Sequence, residues 1–187
     1  MVKEWLCGRI GTQMGLPILP IELVYMDVAA GQFSVYPEAA DLAACPGFGS
    51  KLVEPADILT VASIGEVAAE LRAAILLFDW WVLNEDRHDG NTNLLWQPSE
   101  RRLHVIDHNL TFGSGTPEDF WRDHIFRRDR DRISLLRPGK LAQMTAIIEQ
   151  LPNLWRELPD KWQEGCLIQL GQIDAVLRRC QSEAFWP

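Results

Sequence analysis

The sequence predicts an α+β fold with a helical C-terminal half. Three observations carry this reading. Apolar residues recur at helical spacing over 2–14, over 64–82 and again in the last third of the chain. Two short β-rich runs, "NLLW" (93–96) and "LHVID" (103–107), flank the polar turn "QPSERR". The resulting order is helix, strands, long helix, polar loop, hairpin, helices. Strands and helices are therefore segregated rather than alternating.

Each element has its own signal. Val2, Leu6, Ile10 and Met14 stand four apart and predict a helix over 2–14, stopped by Gly15 and Pro17. "PIELVYM" (20–26) reads as a strand. Residues 29–57 are rich in Ala, Gly and Pro and read mostly as loop, with one short strand at 51–54. "SIGE" (63–66) has the form of a capping box, with a helix from there to about Leu83. Its apolar face is Ile64, Val67, Leu71, Ala74, Ile75, Phe78 and Val82, and Trp80 and Trp81 widen that face toward full burial. In "TPEDFW" (116–121), Thr116 stands at an N-cap and Pro117 at the first helical position. Two more helices are expected near 139–150 and 160–181, the latter spaced by Leu170, Ile173, Leu177 and Cys180.

The 187 residues suit one compact domain, or two small lobes sharing a core. Apolar residues make up 47% and charged residues 24%, so a folded globule is expected. A net charge of −8 disfavours a broad surface for nucleic acid or anionic membrane. The one dense basic stretch, "RRDRDR" (127–132), alternates sign and reads as a solvated face or a local anion contact. Four widely spaced cysteines form no CxxC pair and read as small buried hydrophobes of a reducing compartment. "AAILLF" is too short to span a bilayer, and "MVKEWLCGRIG" lacks a secretory apolar region. The expected setting is the cytoplasm.

The densest polar cluster, "LNEDRHDGNTNLLW" (83–96), follows the most apolar segment. A loop between a buried helix and a hairpin can be held rigidly while its side chains face a cleft. Asp86 precedes Asn91 by five positions, and Asp107 ends the second hairpin strand. A carboxylate and an amide oxygen converging there suit a hard cation such as Mg²⁺, leaving Asp86 to act on a substrate hydroxyl. Phosphoryl transfer uses a base Asp, a metal Asn five residues on and a second metal Asp on a later hairpin. A solvated helix end is the plainer alternative, since Asp, Asn and Gly form turns. A zinc hydrolase using His88, His104, His108 and Asp107 is a third, although their spacing matches no standard zinc signature.

These residues also carry a family resemblance. "DRHDGN" with "VIDHNLTFG" resembles the catalytic and metal-binding loops of the HipA-like kinases, and is similar to the "DRHxxN" loop of phosphatidylinositol kinases. "KEWLCGRIGTQMGLPILPIELV" resembles the HipA-like segment in which a Glu-bearing helix leads into "GLPVP" and a strand. "GFGSKLV" (47–53) resembles the hinge. The resemblance implies a protein-kinase-like fold divided into an N-lobe remnant and hinge (1–57) and a helical catalytic lobe bearing the hairpin (58–187). It implies ATP and Mg²⁺ as cofactors, Asp86 as catalytic base, and Asn91 and Asp107 as Mg²⁺ ligands. Glu4 stands where the helix Glu that pairs with an ATP-binding Lys is found. Arg87 and His88 match the motif and brace the loop or touch phosphate. Phe48 and Lys51 border the nucleotide or, alternatively, fill the core and close a turn. The implied acceptor is a protein Ser or Thr hydroxyl, and a toxin–antitoxin setting is one implied context.

One departure stands out. In such kinases a Gly-rich loop and a Lys-bearing strand precede the Glu helix, whereas here Glu4 follows Met1 almost at once and Lys3 is too close to serve. "GFGSK" comes after the Glu helix, out of order. The expectations are a fragment, one half of a split kinase whose partner chain supplies the missing lobe, or a complete, minimal protein that binds nucleotide weakly or not at all. The last two make a non-catalytic pseudokinase or binding module the alternative to an active kinase. Open strand edges further predict a partner or self-association.

Overall fold

The computed structural model describes residues 1–27, 45–113 and 116–187. Much of the expected loop at 29–57 lies outside the described residues. Helix α1, Val2–Gln13, buries Leu6, Cys7 and Ile10 completely. It ends where expected. Gly15 takes φ +79°, which costs glycine little, and the Gly15 and Leu16 amides turn back onto Thr12 and Gly11 carbonyls. The chain then runs into β1, Ile21–Val24, which pairs antiparallel with β2, Gly47–Ser50. This corrects the strand expected at 51–54. β2 is the "GFGS" run itself, because Gly49 lies under the Val24 side chain, where any Cβ would collide.

Strand β3, Asp57–Ile58, edges a second sheet with β4, Leu94–Gln97, and β5, Arg102–Val105, in the order β3-β4-β5. β4 and β5 form the expected hairpin, with Leu94 opposite Val105. The Val105 amide also bonds to the Pro17 carbonyl at 3.0 Å, which fastens the segment after α1 to the hairpin.

Helix α2, Ala69–Val82, starts later than the capping box suggested. Residues Val61–Glu66 form a 3₁₀ turn, and α2 begins at Ala69, with Ala68 at the N-cap and no side-chain cap. The cause is Arg72, whose guanidinium bonds to the Val67 carbonyl at 2.6 Å and holds the preceding segment as a separate turn. Arg72 also grips Asp129 through two bonds, of 2.7 and 3.1 Å. Asp129 belongs to the 3₁₀ turn Arg127–Arg132 and is buried, so "RRDRDR" is a tie between α2 and the C-terminal helices as well as a charged face.

Helix α3, Pro117–Asp123, is capped by Thr116 as expected. The long α4, Ile133–Arg156, starts before 139. The single helix expected over 160–181 is two, α5 at Asp160–Glu164 and α6 at Leu170–Arg178. Gly165 closes α5, and Gln169 and Gln172 cap α6 reciprocally, so the break is encoded at both ends. The Trp pair at the end of α2 is buried against this half. Trp80 and Trp81 donate their indole N–H groups to the Phe185 and Leu177 carbonyls at 2.9 and 2.8 Å. One apolar cluster includes α1, α2, the hairpin and the C-terminal helices. Cys7 and Cys180 are buried, Cys45 and Cys166 half-buried, and all four are free.

Candidate active site

The polar loop is positioned from behind by a charge inside the most apolar helix. Asp79 sits near the end of α2, wholly buried among Trp80, Trp81 and Phe78. Its carboxylate accepts from Arg87 Nε at 2.7 Å, Asn84 Nδ2 at 2.9 Å and His124 Nε2 at 3.0 Å. Arg87 is equally buried, and its Nη1 donates to the Thr92 carbonyl at 3.1 Å and to the Asn93 carbonyl. Of the two roles expected for Arg87, the geometry carries the bracing one. A guanidinium with no exposed surface does not reach phosphate. Burial would push the Asp79 carboxyl up, but Arg87 and then His124 outweigh it and hold it well below the usual range.

The chain bends sharply around this anchor. Leu83, Asn93, Asp107 and Phe112 all adopt positive φ, between 49° and 56°, conformations that non-glycine residues rarely take. All four lie at the ends of segments that meet here. The Phe112 amide bonds to the Val82 carbonyl at 2.7 Å, and the Ile106 amide to the Asn93 carbonyl at 3.1 Å. The second bond continues the hairpin register past Leu94 and Val105, and so brings the 84–93 loop beside Asp107.

Asp86 is held at the centre. Its Oδ2 accepts from Asn91 Nδ2 and from Asn93 Nδ2, each at 3.1 Å, and Asn93 also donates to the Asp86 carbonyl at 2.9 Å. His88 Nε2 stands 3.6 Å from Asp86 Oδ1, and its ring is half-buried. Asn91 uses its amide N–H on Asp86, which leaves Oδ1 for a ligand. Asp107 contacts Glu4 and feels the charge of Asp86. Burial, together with the charges of Glu4 and Asp86, pushes the Asp107 carboxyl above the ordinary range, against the pull of the Asn109 amide. Glu4 reaches across from α1 and accepts from the His108 amide at 2.8 Å, and its second oxygen stands 3.6 Å from His108 Nδ1. Burial alone would raise Glu4, but contact with His108 holds it below the ordinary range.

A cleft of about 670 Å³ opens beside this group. Glu4, Phe48, Lys51 and Asp107 line it, with Ile18, Ile21 and Ile106 supplying apolar walls. That volume is in the range of small-molecule sites. Asp86 and Asn91 are not in its lining. The structure thus gathers Glu4, Phe48, Lys51 and Asp107 around one cleft, and joins Asp86, Arg87, His88 and Asn91 in one loop.

The other histidines are dispersed. His104 pairs with Gln97 at 2.8 Å, and His108 packs edge-on against Phe78. Among the described residues no group of three or more His, Cys, Asp or Glu side chains is placed to hold a metal. The kinase-type donor set is different in kind. It consists of one carboxylate, one amide oxygen and a neighbouring acid whose repulsion a hard cation relieves. Asn91, Asp107 and Asp86 have that chemistry.

Asn93 and His124 are functional neighbours that the sequence reading missed, and Asp79 entered it only as a bracket to an apolar run. The signal for Asp79 was present, because a carboxylate inside "ILLFDWW" demands a buried partner. His124, forty-five positions away, left no local signal.

The chain combines a Glu-bearing helix, a strand pair, a helix ending in a DRH-type loop and a β-hairpin, an α+β arrangement compatible with a kinase-like fold. A family model for HipA-like kinases matches residues 1–187, the whole chain, and the protein belongs to that family. Membership implies kinase-type phosphotransfer, with ATP and a divalent metal used in general. No curated protein and no solved structure matches the chain. Among the described residues no helix is long and apolar enough to cross a membrane.

Two outcomes test this anchor. Arg87→Ala leaves the Asp79 charge buried and unpaired, and should cost roughly 3–5 kcal/mol in chemical denaturation. A loss under about 1 kcal/mol would contradict the role given to the pair. The second concerns pH. His124 Nδ1 accepts from the Phe126 amide at 3.0 Å while Nε2 faces Asp79, so the ring is neutral in the fold. Burial pushes it below its ordinary value despite Asp79. The unfolded chain takes up this proton below about pH 6.5 and the folded chain does not, so stability is lost as pH falls through that point. His104 is lowered too and adds a slope of the same sign. His124→Gln should flatten the decline in unfolding free energy between pH 7.5 and 5.5. An unchanged slope would contradict the assignment.

Proposed function

We propose that the protein is an ATP- and Mg²⁺-dependent phosphotransferase whose acceptor is a Ser or Thr hydroxyl of a protein, acting in the cytoplasm. The observation that carries this reading is the placement of Asp86. Two amide side chains orient its carboxylate, a buried arginine fixes its loop, and its charge is felt by a second acid, Asp107, that lines a cleft of about 670 Å³.

Asp86 would orient the attacking hydroxyl and take its proton. Asn91 and Asp107 would hold Mg²⁺, which supplies neutralisation of phosphate charge when bound. The apolar wall of Ile18, Ile21 and Ile106 would receive the base, with Phe48 and Lys51 at its border. Arg87 would not enter the chemistry, and His88, half-buried beside Asp86, would meet the acceptor or a phosphate oxygen.

A second reading rests on Glu4. In active kinases this residue pairs with a lysine. Among the described residues Glu4 instead pairs with His108. That favours a binding module, or a subunit that is completed when another chain brings a lysine to Glu4.

Asp86→Asn should reduce phosphoryl transfer by roughly 10²–10⁴-fold, in a radiolabelled-phosphate assay, with little change in nucleotide affinity. Unchanged transfer would remove the base assignment. Asp107→Asn should weaken Mg²⁺-nucleotide binding about tenfold or more, read by tryptophan fluorescence. Equal affinity would remove Asp107 from the metal site. Transfer that appears only after adding a lysine-bearing partner would favour the second reading.

A further inference from the structure

The buried anchor holds the polar loop at its two ends and leaves its tip outside. Arg87 is fixed in the interior, and so are the Thr92 and Asn93 carbonyls to which it donates. Asp89, Gly90 and Asn91 lie between these points and are exposed, so apolar packing does not order them. The backbone closes on itself there. The His88 amide bonds to the Asn91 carbonyl at 2.9 Å, and the Asn91 amide to the His88 carbonyl at 3.1 Å. The Gly90 amide adds a bond to His88 Nδ1 at 3.1 Å. So small a hairpin is marginal in water without outside support. Yet its last residue, Asn91, carries the side-chain amide that bonds to Asp86 Oδ2 at 3.1 Å.

The support comes from the first residue of the 3₁₀ turn Arg127–Arg132. Arg127 donates from Nη1 to Asp89 Oδ1 and from Nη2 to Asp89 Oδ2, each at 2.8 Å. A guanidinium and a carboxylate joined by two parallel bonds fix orientation as well as distance. This bonding holds the Asp89 carboxyl below its ordinary range. Arg127 is itself anchored, because its amide and its Nη1 both bond to the His124 carbonyl, at 3.0 and 3.2 Å. The root of the hairpin is tied to the same segment, where the Ile125 amide bonds to the Arg87 carbonyl at 3.0 Å. An exposed ion pair adds little to the stability of a whole fold. The effect of this one is local, on the tip that carries Asn91.

We propose that Arg127 is a positioning residue, which grips Asp89 and thereby keeps the 88–91 hairpin closed, with Asn91 on Asp86. The clamp does from outside what the Asp79–Arg87 pair does from inside. Its consequence for catalysis, an Asn91 oxygen kept in place for a divalent cation, rests on the phosphotransfer reading. The first test of the clamp needs no ligand.

Hydrogen exchange at the Asn91 amide, followed by NMR, reports the bond to His88 directly. Arg127→Gln should speed it about threefold, and Asp89→Ser should do the same. The double variant should be no faster than either single one, since all three lose one and the same interaction. Arg128→Gln removes an equal charge from the neighbouring position and should leave exchange at the parent rate. All four variants should melt within about 2 °C of the parent, because the pair is exposed. Parent-like exchange in Arg127→Gln would overturn the proposal, as would additive acceleration in the double variant. Equal acceleration in Arg128→Gln, or faster exchange accompanied by a large fall in melting temperature, would also overturn it.

The second arm is ATP binding with and without Mg²⁺. Arg127→Gln should weaken binding about threefold in Mg²⁺ and leave metal-free binding unchanged, with Arg128→Gln at the parent affinity in both. Equal loss in both conditions would overturn the proposal, because Arg127 would then be touching the nucleotide itself. A parent chain that binds no Mg²⁺-ATP would count against the phosphotransfer reading, and the exchange arm would still decide the clamp.

Discussion

Everything at the site hangs on one buried ion pair, Asp79 with Arg87. The carboxylate comes from the last turn of α2, and the guanidinium from the loop that follows it. Between them the chain must reverse, and Leu83 takes a left-handed conformation to do so. Neither charge can be removed singly without stranding the other in an apolar interior. The pair also fixes Asn84, His124 and the carbonyls of Thr92 and Asn93. A loop of Asp, Asn and Gly, which alone would be a solvated turn, is thus held from the inside.

The outward consequence is order among acids. Asp107 stands in the fields of both Glu4 and Asp86, and each of the three acids is restrained differently. Asp86 has two amide donors, Glu4 has the His108 amide, and Asp107 has the Asn109 amide, at 3.3 Å, with the Glu4 carboxyl beside it. Asp107 is lifted above its ordinary range. Behind the site stands α2, whose Trp80 and Trp81 are bound into the C-terminal helices.

Much of this was legible in the sequence where local chemistry dictates the outcome. The apolar stripe of α1, its Gly15 stop, the Thr116 cap and the 93–107 hairpin follow from short-range rules. The Asp86–Asn91–Asp107 spacing could be read because loop and hairpin are contiguous in sequence. What stayed hidden depends on distant partners. Ser63 and Glu66 make no helix cap because Arg72 reaches back to Val67 and Ile64. β2 forms at 47–50 because Val24 needs Gly49 beneath it. His108 was noticed only as a candidate zinc ligand, since nothing near it in sequence announces Glu4, 104 positions away.

The central claim is that this arrangement is a metal-dependent nucleotide site. The most direct measurement is calorimetric titration of the 187-residue chain with ATP, with and without Mg²⁺. The account predicts one binding event per chain, strengthened by Mg²⁺. Absence of binding in both conditions, or binding indifferent to Mg²⁺, would contradict it.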